Sequence, residues 1–319
     1  MSETARETPR VRYVSVDADR AGQRLDNFLL TEMKGAPRSL VYRVLRSGEV
    51  RVNKGRAKVG YRIQAGDRIR IPPLRLADPR ELGSPPKALL AKLEAAILYE
   101  DKRLIVLNKP SGMAVHGGSG IGFGVIEGLR ALRPQEPGLE LVHRLDRDTS
   151  GCLLLTKRRS LLRWLHRLIR ENAVDKRYLA LLAGSLPWKT MQLDAPLRKN
   201  TLQGGERVVR VDSEGKPSKT FFRRLRRFRD ATLVEARLYT GRTHQIRVHA
   251  AHLGAPLLGD DKYGDRRANA AMRKQGLKRL FLHASSLTFE LPDGEGRFDI
   301  QAPLDPELEK LLEKLSITK

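Results

Sequence analysis

The sequence predicts an α+β protein in which a small α+β domain precedes a larger domain built on a mixed, largely antiparallel sheet. The 319 residues, of which 40% are hydrophobic, suffice for at least one sizeable core. Strand-like and helix-like segments follow one another without the regular alternation that builds parallel sheets. A proline-rich stretch divides the chain, which we partition into a flexible tail (1–18), a small domain (19–75), a linker (76–92) and a large domain (93–319).

The charge of the chain predicts a polyanionic partner. There are 61 Lys and Arg against 37 Asp and Glu, a formal net charge of +24. A field of this sign speeds the capture of polyanions, with nucleic acid the first candidate and an anionic membrane surface the second. No apolar run approaches the roughly 18 residues of a spanning helix, and the first residues lack the apolar core of a signal peptide. We therefore expect a cytoplasmic protein.

The single cysteine, Cys152, excludes an intrachain disulfide and a zinc site made of thiolates. It lies in the apolar run CLLLT, which predicts a buried, unreactive thiol. The chemistry of the chain is therefore expected in its charged and polar segments.

Two amphipathic helices and two short strands are predicted in the small domain. The segments RLDNFLLTEMK and SLVYRVLRSGEV carry apolar residues at helical spacing, and the second pattern stops at Gly48. The strands EVRVN and DRIRIP follow, the latter entered through the turn at Gly66 and Asp67. From Lys34 to Arg75 there are 12 basic and two acidic residues. Such one-sided charge is expected to contact phosphates, the alternative being the solvated face of an ordinary small domain.

The segments GQRLDNFL, VYRVLRSGEVRVN and AGDRIRIP resemble the S4-type RNA-binding domain. Domains of that family present a basic helical face to structured RNA, so the resemblance implies that the small domain binds RNA. The candidate contact residues are Arg24, Arg43, Arg46, Arg51 and Lys54.

The large domain is expected to begin with a hairpin in AILYEDKRLIVLNKPSG. Strand-like runs follow in GCLLLTK, KRYLALLAG and ATLVEARLYTG, and helical patterns in RSLLRWLHRLIREN and THQIRVHAAHLG. Two cofactor classes lack their sequence signatures. The loop NKPSGMAVHGG is not a phosphate-binding GxxxxGK[ST] loop, and no GxGxxG follows a strand.

The stretch HRLDRDTSG places five charged or titratable residues against the apolar run that follows it. The turn residues at its end fix a charged loop to the start of a buried strand, which can hold a reacting group in one geometry. Asp146 is the candidate catalyst, with a loop ion pair to Arg144 or Arg147 as the alternative. Asp148 is better explained as a turn residue.

The segment TGRTHQIRVHAAHLG predicts a helix of about 10 residues between an N-cap at Thr243 and a stop at Gly254. Arg247 would lie a turn inside it, where an arginine near a carboxylate favours the ionised form of that group. His249 and His252 have a spacing that zinc ligands can have. Without a third ligand in the pattern, we expect them to pack or hydrogen-bond.

These segments, with KRYLALL, GDDKYG and LFLHASSL, strongly resemble the pseudouridine synthases that modify ribosomal RNA. The resemblance implies that Asp146 attacks the target uridine, whose base is detached, turned and rejoined through C5. Addition to the base, a bond to the sugar and a glycal route remain open. It also implies that Arg247 holds Asp146 ionised, and that Arg144 fills the space of the flipped nucleotide. Tyr178, otherwise an ordinary half-buried strand tyrosine, would stack on the base or help remove the C5 proton.

The same resemblance implies an enzyme that needs no nucleotide, flavin or metal; the oligomeric state is open, with a monomer as the default expectation. Its partner would be large-subunit ribosomal RNA or an early assembly particle. Two other hypotheses fit the residues. A non-catalytic RNA-binding assembly factor would explain the charge, and a metal-dependent nuclease could use carboxylates for magnesium. The carboxylates of that nuclease hypothesis are Asp146, Asp148, Asp260 and Asp261.

Overall fold

The computed structural model describes residues 10–33, 36, 38–73, 84–117, 122–201 and 207–317. The chain divides into two compact units, Met1–Ser84 and Pro85–Lys319. The α+β class with a mostly antiparallel sheet, predicted from the sequence, is confirmed. None of the described helices is both long enough and apolar enough to cross a membrane.

The smaller unit packs two helices on a four-stranded antiparallel sheet of order β1-β4-β2-β3. Leu25, Phe28 and Leu29 from the first helix and Val41 and Val44 from the second are fully buried, as their helical spacing predicts. The elements are β1 (Arg12–Ser15), α1 (Leu25–Glu32), α2 (Arg38–Arg46), β2 (Arg51–Val52), β3 (Gly55–Arg56) and β4 (Arg68–Ile71).

Two parts of the predicted partition differ from the structure. Residues 12–15 of the predicted tail form β1, which pairs with β4 along its whole length. The predicted linker 76–92 lies partly outside the described residues. Its last residues, from Lys87 onward, are helical and belong to the larger unit, where Leu93 of the same helix is fully buried.

The larger unit is built on a ten-stranded sheet of order β10-β13-β14-β9-β15-β8-β6-β5, with β16 beside β15 and β7 beside β8. Its elements are α3 (Lys87–Glu94), β5 (Ile97–Glu100), β6 (Leu104–Lys109), α4 (Val125–Leu132), β7 (Glu140–Leu141), β8 (Ser150–Thr156), α5 (Arg159–Arg170), β9 (Asp175–Ala183), β10 (Thr190–Asp194), β11 (Leu197–Thr201), β12 (Arg207–Val211), β13 (Lys219–Arg227), β14 (Ala231–Leu238), α6 (Gln245–His252), α7 (Arg266–Gln275), β15 (Leu282–Glu290), β16 (Arg297–Gln301) and α8 (Pro306–Ile317).

All strand pairs of this sheet are antiparallel except β15 with β8, which run parallel. Strand β8 is buried at every position, as its continuous apolar run predicts. Cys152 on this strand is buried, and burial raises the pKa of its thiol to about 12, so it is unreactive at neutral pH.

Strands β11 and β12 form a separate hairpin. It packs on α6 through an apolar cluster in which Leu197 and Val209 of the hairpin contact Val248 of the helix. Basic side chains occur on both of its strands, at Arg198, Lys199 and Arg210.

Candidate active site

The loop of residues 143–149 is fixed to the central sheet where β8 begins. Gly151 has φ of +106°, and a Cβ at this position would lie 2.2 Å from the carbonyl oxygen of Ala284 on β15. Only glycine permits this approach of two parallel strands. The preceding residue, Ser150, is buried. Its Oγ accepts from Arg279 Nη2 (2.6 Å) and lies 2.9 Å from His283 Nδ1.

A buried lysine braces the loop from the other side. The Lys109 ammonium donates to the carbonyl oxygens of Pro110 (2.8 Å), Met113 (2.8 Å) and Arg147 (3.0 Å). Burial lowers the pKa of Lys109 to about 7, partly offset by the charges of nearby aspartates. Ser111 Oγ adds a hydrogen bond of 2.7 Å to the carbonyl of Asp148. The NKPSG segment is therefore a support for the charged loop and binds no phosphate through a P-loop pattern.

Asp146 lies in this loop with 30% of its side chain exposed. Its Oδ2 atom is 3.6 Å from Nη1 of Arg247 and 3.8 Å from Nε2 of His244, both contributed by the α6 region. Arg147, one of the two partners considered in the loop-ion-pair alternative, pairs instead with Asp148 (3.2 Å). The carboxylate of Asp146 is thus both accessible and faced by donors from another element.

Arg247 is oriented mainly by Asp260, a contact that the sequence pattern does not indicate. Its Nε and Nη2 donate to the two carboxylate oxygens of Asp260 at 2.7 and 2.8 Å. Asp260 is fully buried and also accepts from the backbone N–H groups of Lys262 and Tyr263. Although burial alone would raise it, the pKa of Asp260 is lowered, because Arg247 and these amides stabilise the carboxylate.

Helix α6 begins differently from the prediction. Its N-cap is His244, which has left-handed backbone (φ 55°, ψ 20°) and makes no side-chain cap, so the N-cap assigned to Thr243 was wrong. Gly254 does follow the helix with φ of +71°. His249 is fully buried between Thr220 Oγ1 (2.8 Å) and the Ala195 carbonyl (3.0 Å), and burial lowers its pKa.

Tyr178 lies on β9, between Ala236 of β14 and Ala284 of β15. The two small neighbours leave room for a ring on this face, and the side chain is 8% exposed. Burial, and secondly the charge of Asp146, raises the pKa of Tyr178 above its ordinary value. The phenol is therefore neutral at physiological pH, which suits an aromatic platform better than a base.

Asp146 and Tyr178 share one cavity of about 1410 Å³. Arg144, an exposed residue of the loop, also lines it. Further basic side chains on the wall are Lys176, Lys199, Arg242, Arg247, Lys262, Lys278 and Arg279. The cavity therefore combines an accessible carboxylate, an aromatic ring and a basic wall, an arrangement suited to a nucleotide and its phosphates.

The smaller unit carries the other predicted binding residues. Arg24 is committed to Asp26 through two hydrogen bonds (3.0 and 2.8 Å), and its pKa is raised by that pairing. Arg43, Arg46 and Lys54 are exposed, and Arg51 is half-buried. In the described part of this unit none of these four pairs with a carboxylate, so their charges are available to a polyanion.

The four carboxylates of the nuclease hypothesis line one cavity, but at least three of them have basic partners. Asp260 is engaged by Arg247, and Asp261 is 85% exposed and faces Arg273. Among the residues that the structure describes, no group of three or more His, Cys, Asp or Glu has the geometry of a metal site.

Three residues of the site were not singled out from the sequence: Lys109, His244 and Tyr263. Each lies in one of the segments that carry the family resemblance, NKPSG, GRTHQIR or GDDKYG. The local spacing of residues does not show which distant residue each of them contacts. The pairing of Asp260 with Arg247 was missed for the same reason.

Comparisons with known proteins match both units. The family model described as RNA pseudouridylate synthase matches residues 103–252, and the S4 domain model matches residues 23–69. The chain is 55% identical over 312 residues to the ribosomal large subunit pseudouridine synthase C of Salmonella typhi and to that of Escherichia coli strain K12. Each of these alignments covers 97% of this chain and 98% of the relative.

Solved structures give the same family. The human RNA pseudouridylate synthase domain containing 4 is 27% identical with a TM-score of 0.60, over 72% of this chain and 96% of that one. The human RNA pseudouridylate synthase domain containing 1 is also 27% identical, with a TM-score of 0.54, over 70% of this chain and 95% of that one.

Proposed function

The chain belongs to the RNA pseudouridylate synthase family, and we propose that it converts selected uridines of large-subunit ribosomal RNA to pseudouridine through the Asp146 carboxylate. The observation that carries the assignment of Asp146 is its position. It is an accessible carboxylate on a braced loop, next to a buried arginine and in one cavity with an aromatic ring. The two relatives with the same overall length act, by their names, on the ribosomal large subunit.

The reaction is an isomerisation that conserves atoms. The bond between C1′ of the ribose and N1 of the base breaks, the base turns, and a bond from C1′ to C5 forms. C5 loses its proton, and N1 gains one. No electron is transferred and no energy input is required, so the proposal includes no nucleotide, flavin or metal.

Asp146 supplies the charge that the cleavage needs. Arg247 and His244 both come nearest to the carboxylate at Oδ2, so the nucleotide would approach it from the other side, at Oδ1. Arg247 places a positive charge beside the carboxylate, 3.6 Å from Oδ2. The surrounding cavity limits the access of water that would intercept the detached base.

Tyr178 and Arg144 help to hold the target nucleotide in its flipped-out position. A uridine within folded RNA must be flipped out of its stack, at a cost of a few kcal/mol. Stacking on the neutral Tyr178 ring offsets part of that cost, since a base on an aromatic side chain contributes about 1–3 kcal/mol. Arg144, exposed at the cavity wall, occupies the space that the nucleotide leaves.

The S4 domain extends the contact with RNA. Within the residues of this unit that the structure describes, the predicted contact residues Arg43, Arg46, Arg51 and Lys54 form no ion pair with a carboxylate. We include in the proposal that the protein acts as a monomer in the cytoplasm, on free RNA or an early assembly particle. A mature subunit would bury many of the target nucleotides.

The test is turnover on unmodified large-subunit ribosomal RNA without cofactor and with a chelator present. Pseudouridines are mapped as carbodiimide adducts that stop reverse transcription. We expect stops at a few discrete uridines with the wild type and none with Asp146→Asn. Asp148→Asn is the matched control, since it removes a carboxylate from the same loop and should retain activity.

The outcomes separate the competing hypotheses. Equal activity of Asp146→Asn and wild type would show that another residue reacts. Binding without any stop, on free RNA and on assembly particles alike, would favour the assembly factor. Shortened RNA that depends on added magnesium would favour the nuclease.

A further inference from the structure

His244 is the second group beside the Asp146 carboxylate, close to it but beyond hydrogen-bond distance, and its own orientation is fixed by a chain of contacts. Its Nδ1 lies 2.8 Å from the hydroxyl of Tyr263, and that hydroxyl accepts from the backbone N–H of Val209 on β12 at 3.0 Å. The His244 side chain is 19% exposed and lies at the cavity wall.

The contacts determine which nitrogen carries the proton. Tyr263 has one hydroxyl proton and accepts from Val209, so it can donate its proton to Nδ1 of His244. Burial lowers the pKa of His244, which leaves the ring neutral at physiological pH. A neutral ring that accepts at Nδ1 carries its proton on Nε2, the atom that faces Asp146 Oδ2 at 3.8 Å.

From this arrangement we infer that His244 is a positioning residue that sets the rotation of the Asp146 carboxylate, and that Tyr263 sets the orientation of His244. One donor, Arg247, limits the position of Oδ2 but leaves the carboxylate free to turn about its own axis. The His244 ring beside the same oxygen restricts this turning and so favours one orientation of Oδ1. This inference rests on the proposed function, because it assumes that Asp146 reacts.

The backbone of His244 supports a role beyond that of an ordinary helix cap. Its φ of 55° is a left-handed conformation that few non-glycine residues adopt. The residue makes no side-chain cap to α6 in return. Instead, the turn brings the ring to Tyr263 and to Asp146.

Two substitutions separate the side-chain role from the backbone role. His244→Asn keeps a residue that tolerates left-handed backbone but is too short to reach Asp146. His244→Gln is less suited to this backbone, yet its amide nitrogen extends as far as Nε2 does. Tyr263→Phe removes the hydroxyl and keeps the ring 5.0 Å from the Arg247 guanidinium. This variant tests whether the contact with Tyr263 orients the His244 ring.

The experiment is single-turnover conversion of ribosomal RNA with enzyme in excess, which yields a rate constant and a half-saturating enzyme concentration separately. For His244→Asn we expect a rate constant lower by about 10- to 100-fold, as for misplaced reacting groups, with unchanged half-saturation. His244→Gln should recover most of the rate, and Tyr263→Phe should fall between wild type and His244→Asn.

Asp146→Asn is measured in parallel. If it is inactive while His244→Asn and Tyr263→Phe turn over as wild type does, the positioning role is wrong and the proposed function stands. If His244→Asn is more active than His244→Gln, position 244 matters only for its left-handed backbone conformation. That result also overturns the inference. If Asp146→Asn remains active, the proposed function itself is wrong.

Discussion

Arg247 donates two hydrogen bonds, of 2.7 and 2.8 Å, to the fully buried carboxylate of Asp260. The pair joins α6 to the turn that precedes α7, and it leaves only Nη1 of the guanidinium for Asp146. The arginine beside Asp146 is therefore fixed before any substrate binds. Such preorganisation lowers the cost of holding charges in the geometry that the reaction needs.

Replacing Asp260 tests how much this pair contributes. Asp260→Asn leaves a buried guanidinium without its counter-charge, and breaking a buried pair in this way costs about 3–5 kcal/mol. We expect a loss of this order in the free energy of unfolding of the larger unit. Both tryptophans, Trp164 and Trp188, lie in that unit, so urea unfolding followed by their fluorescence reports on it.

The neighbouring Asp261 provides the matched control. It is 85% exposed and its ion pair with Arg273 is at the surface, where such pairs contribute at most about 1 kcal/mol. Asp261→Asn should unfold close to wild type. Equal losses for the two variants would mean that the pair with Arg247 is not what stabilises the turn.

Gly151 is predicted to be irreplaceable for a steric reason. Alanine there would place its Cβ 2.2 Å from the Ala284 carbonyl oxygen, at a φ of +106°. We expect Gly151→Ala to separate the ends of β8 and β15. The free energy of unfolding of the larger unit should fall by several times the cost of backbone strain alone, and turnover should be lost. Thermal unfolding and the pseudouridine assay measure the two effects.

Gly254→Ala separates strain from the steric clash. Gly254 also has positive φ, at +71°, but no atom lies within 4 Å of the position that a Cβ would occupy. The substitution should therefore cost only about 1 kcal/mol, the penalty of left-handed backbone for a non-glycine residue. A loss as large as that of Gly151→Ala would count against the close-contact explanation.

The pattern of apolar residues was sufficient to predict what is local in this fold. The helices α1 and α2, the buried strand β8 and the turn at its start follow from spacing and turn residues that are adjacent in the chain. Strand β1 was missed because it is four residues long, is mostly exposed, and pairs with β4, more than 50 residues later.

The contacts of the site depend on tertiary structure. His244 takes the N-cap position predicted for Thr243 because contacts outside the helix, to Tyr263 and Asp146, stabilise a backbone conformation that local propensity disfavours. Asp260 is 13 residues from Arg247, at the end of an irregular segment, and no periodic pattern connects the two. The resemblance therefore singles out Asp146 as the candidate carboxylate, but local sequence does not indicate the residues that contact it.

Stability is expected to fall as the solution is acidified, in part through His143. Its Nε2 accepts from the backbone N–H of Leu154 at 3.1 Å, and burial lowers its pKa to about 4. Between this value and the pKa of about 6.5 in the unfolded chain, only the unfolded state binds the proton. The free energy of unfolding therefore decreases on going from pH 6.5 towards pH 4, by about 1 kcal/mol per pH unit for this residue.

His143→Gln isolates this contribution, because glutamine can accept the same hydrogen bond and does not titrate. Urea unfolding by tryptophan fluorescence at pH 7, 6 and 5 should give a smaller loss for the variant than for wild type. The other histidines whose pKa values burial lowers, His244, His249 and His283, are present in both proteins and cancel in the comparison. Identical pH dependences would show that His143 titrates normally in the folded protein.

A stripe of three arginines on α5 is predicted to contact RNA phosphates. Arg163, Arg167 and Arg170 are exposed on one helix face, and none of them pairs with a carboxylate in the described parts of the chain. Arg167 lies over the Trp164 ring at 4.2 Å, which reduces its freedom before binding. Each phosphate contact should contribute about 0.7 to the slope of log affinity against log salt concentration. Replacing all three by glutamine should therefore reduce that slope by about 2.

The matched control removes the same charge from arginines that already have acidic partners. Arg223 pairs with Glu235 (3.0 Å), Arg273 with Asp261 (3.3 Å) and Arg297 with Asp299 (3.8 Å). Replacing these three by glutamine lowers the net charge equally, but exposes carboxylates rather than removing phosphate contacts. If RNA binding, measured between 50 and 300 mM salt, changes slope equally in both triple variants, net charge alone explains the effect. A change confined to the α5 variant would assign the contact to that helix, because the two proteins differ only in where the charge was removed.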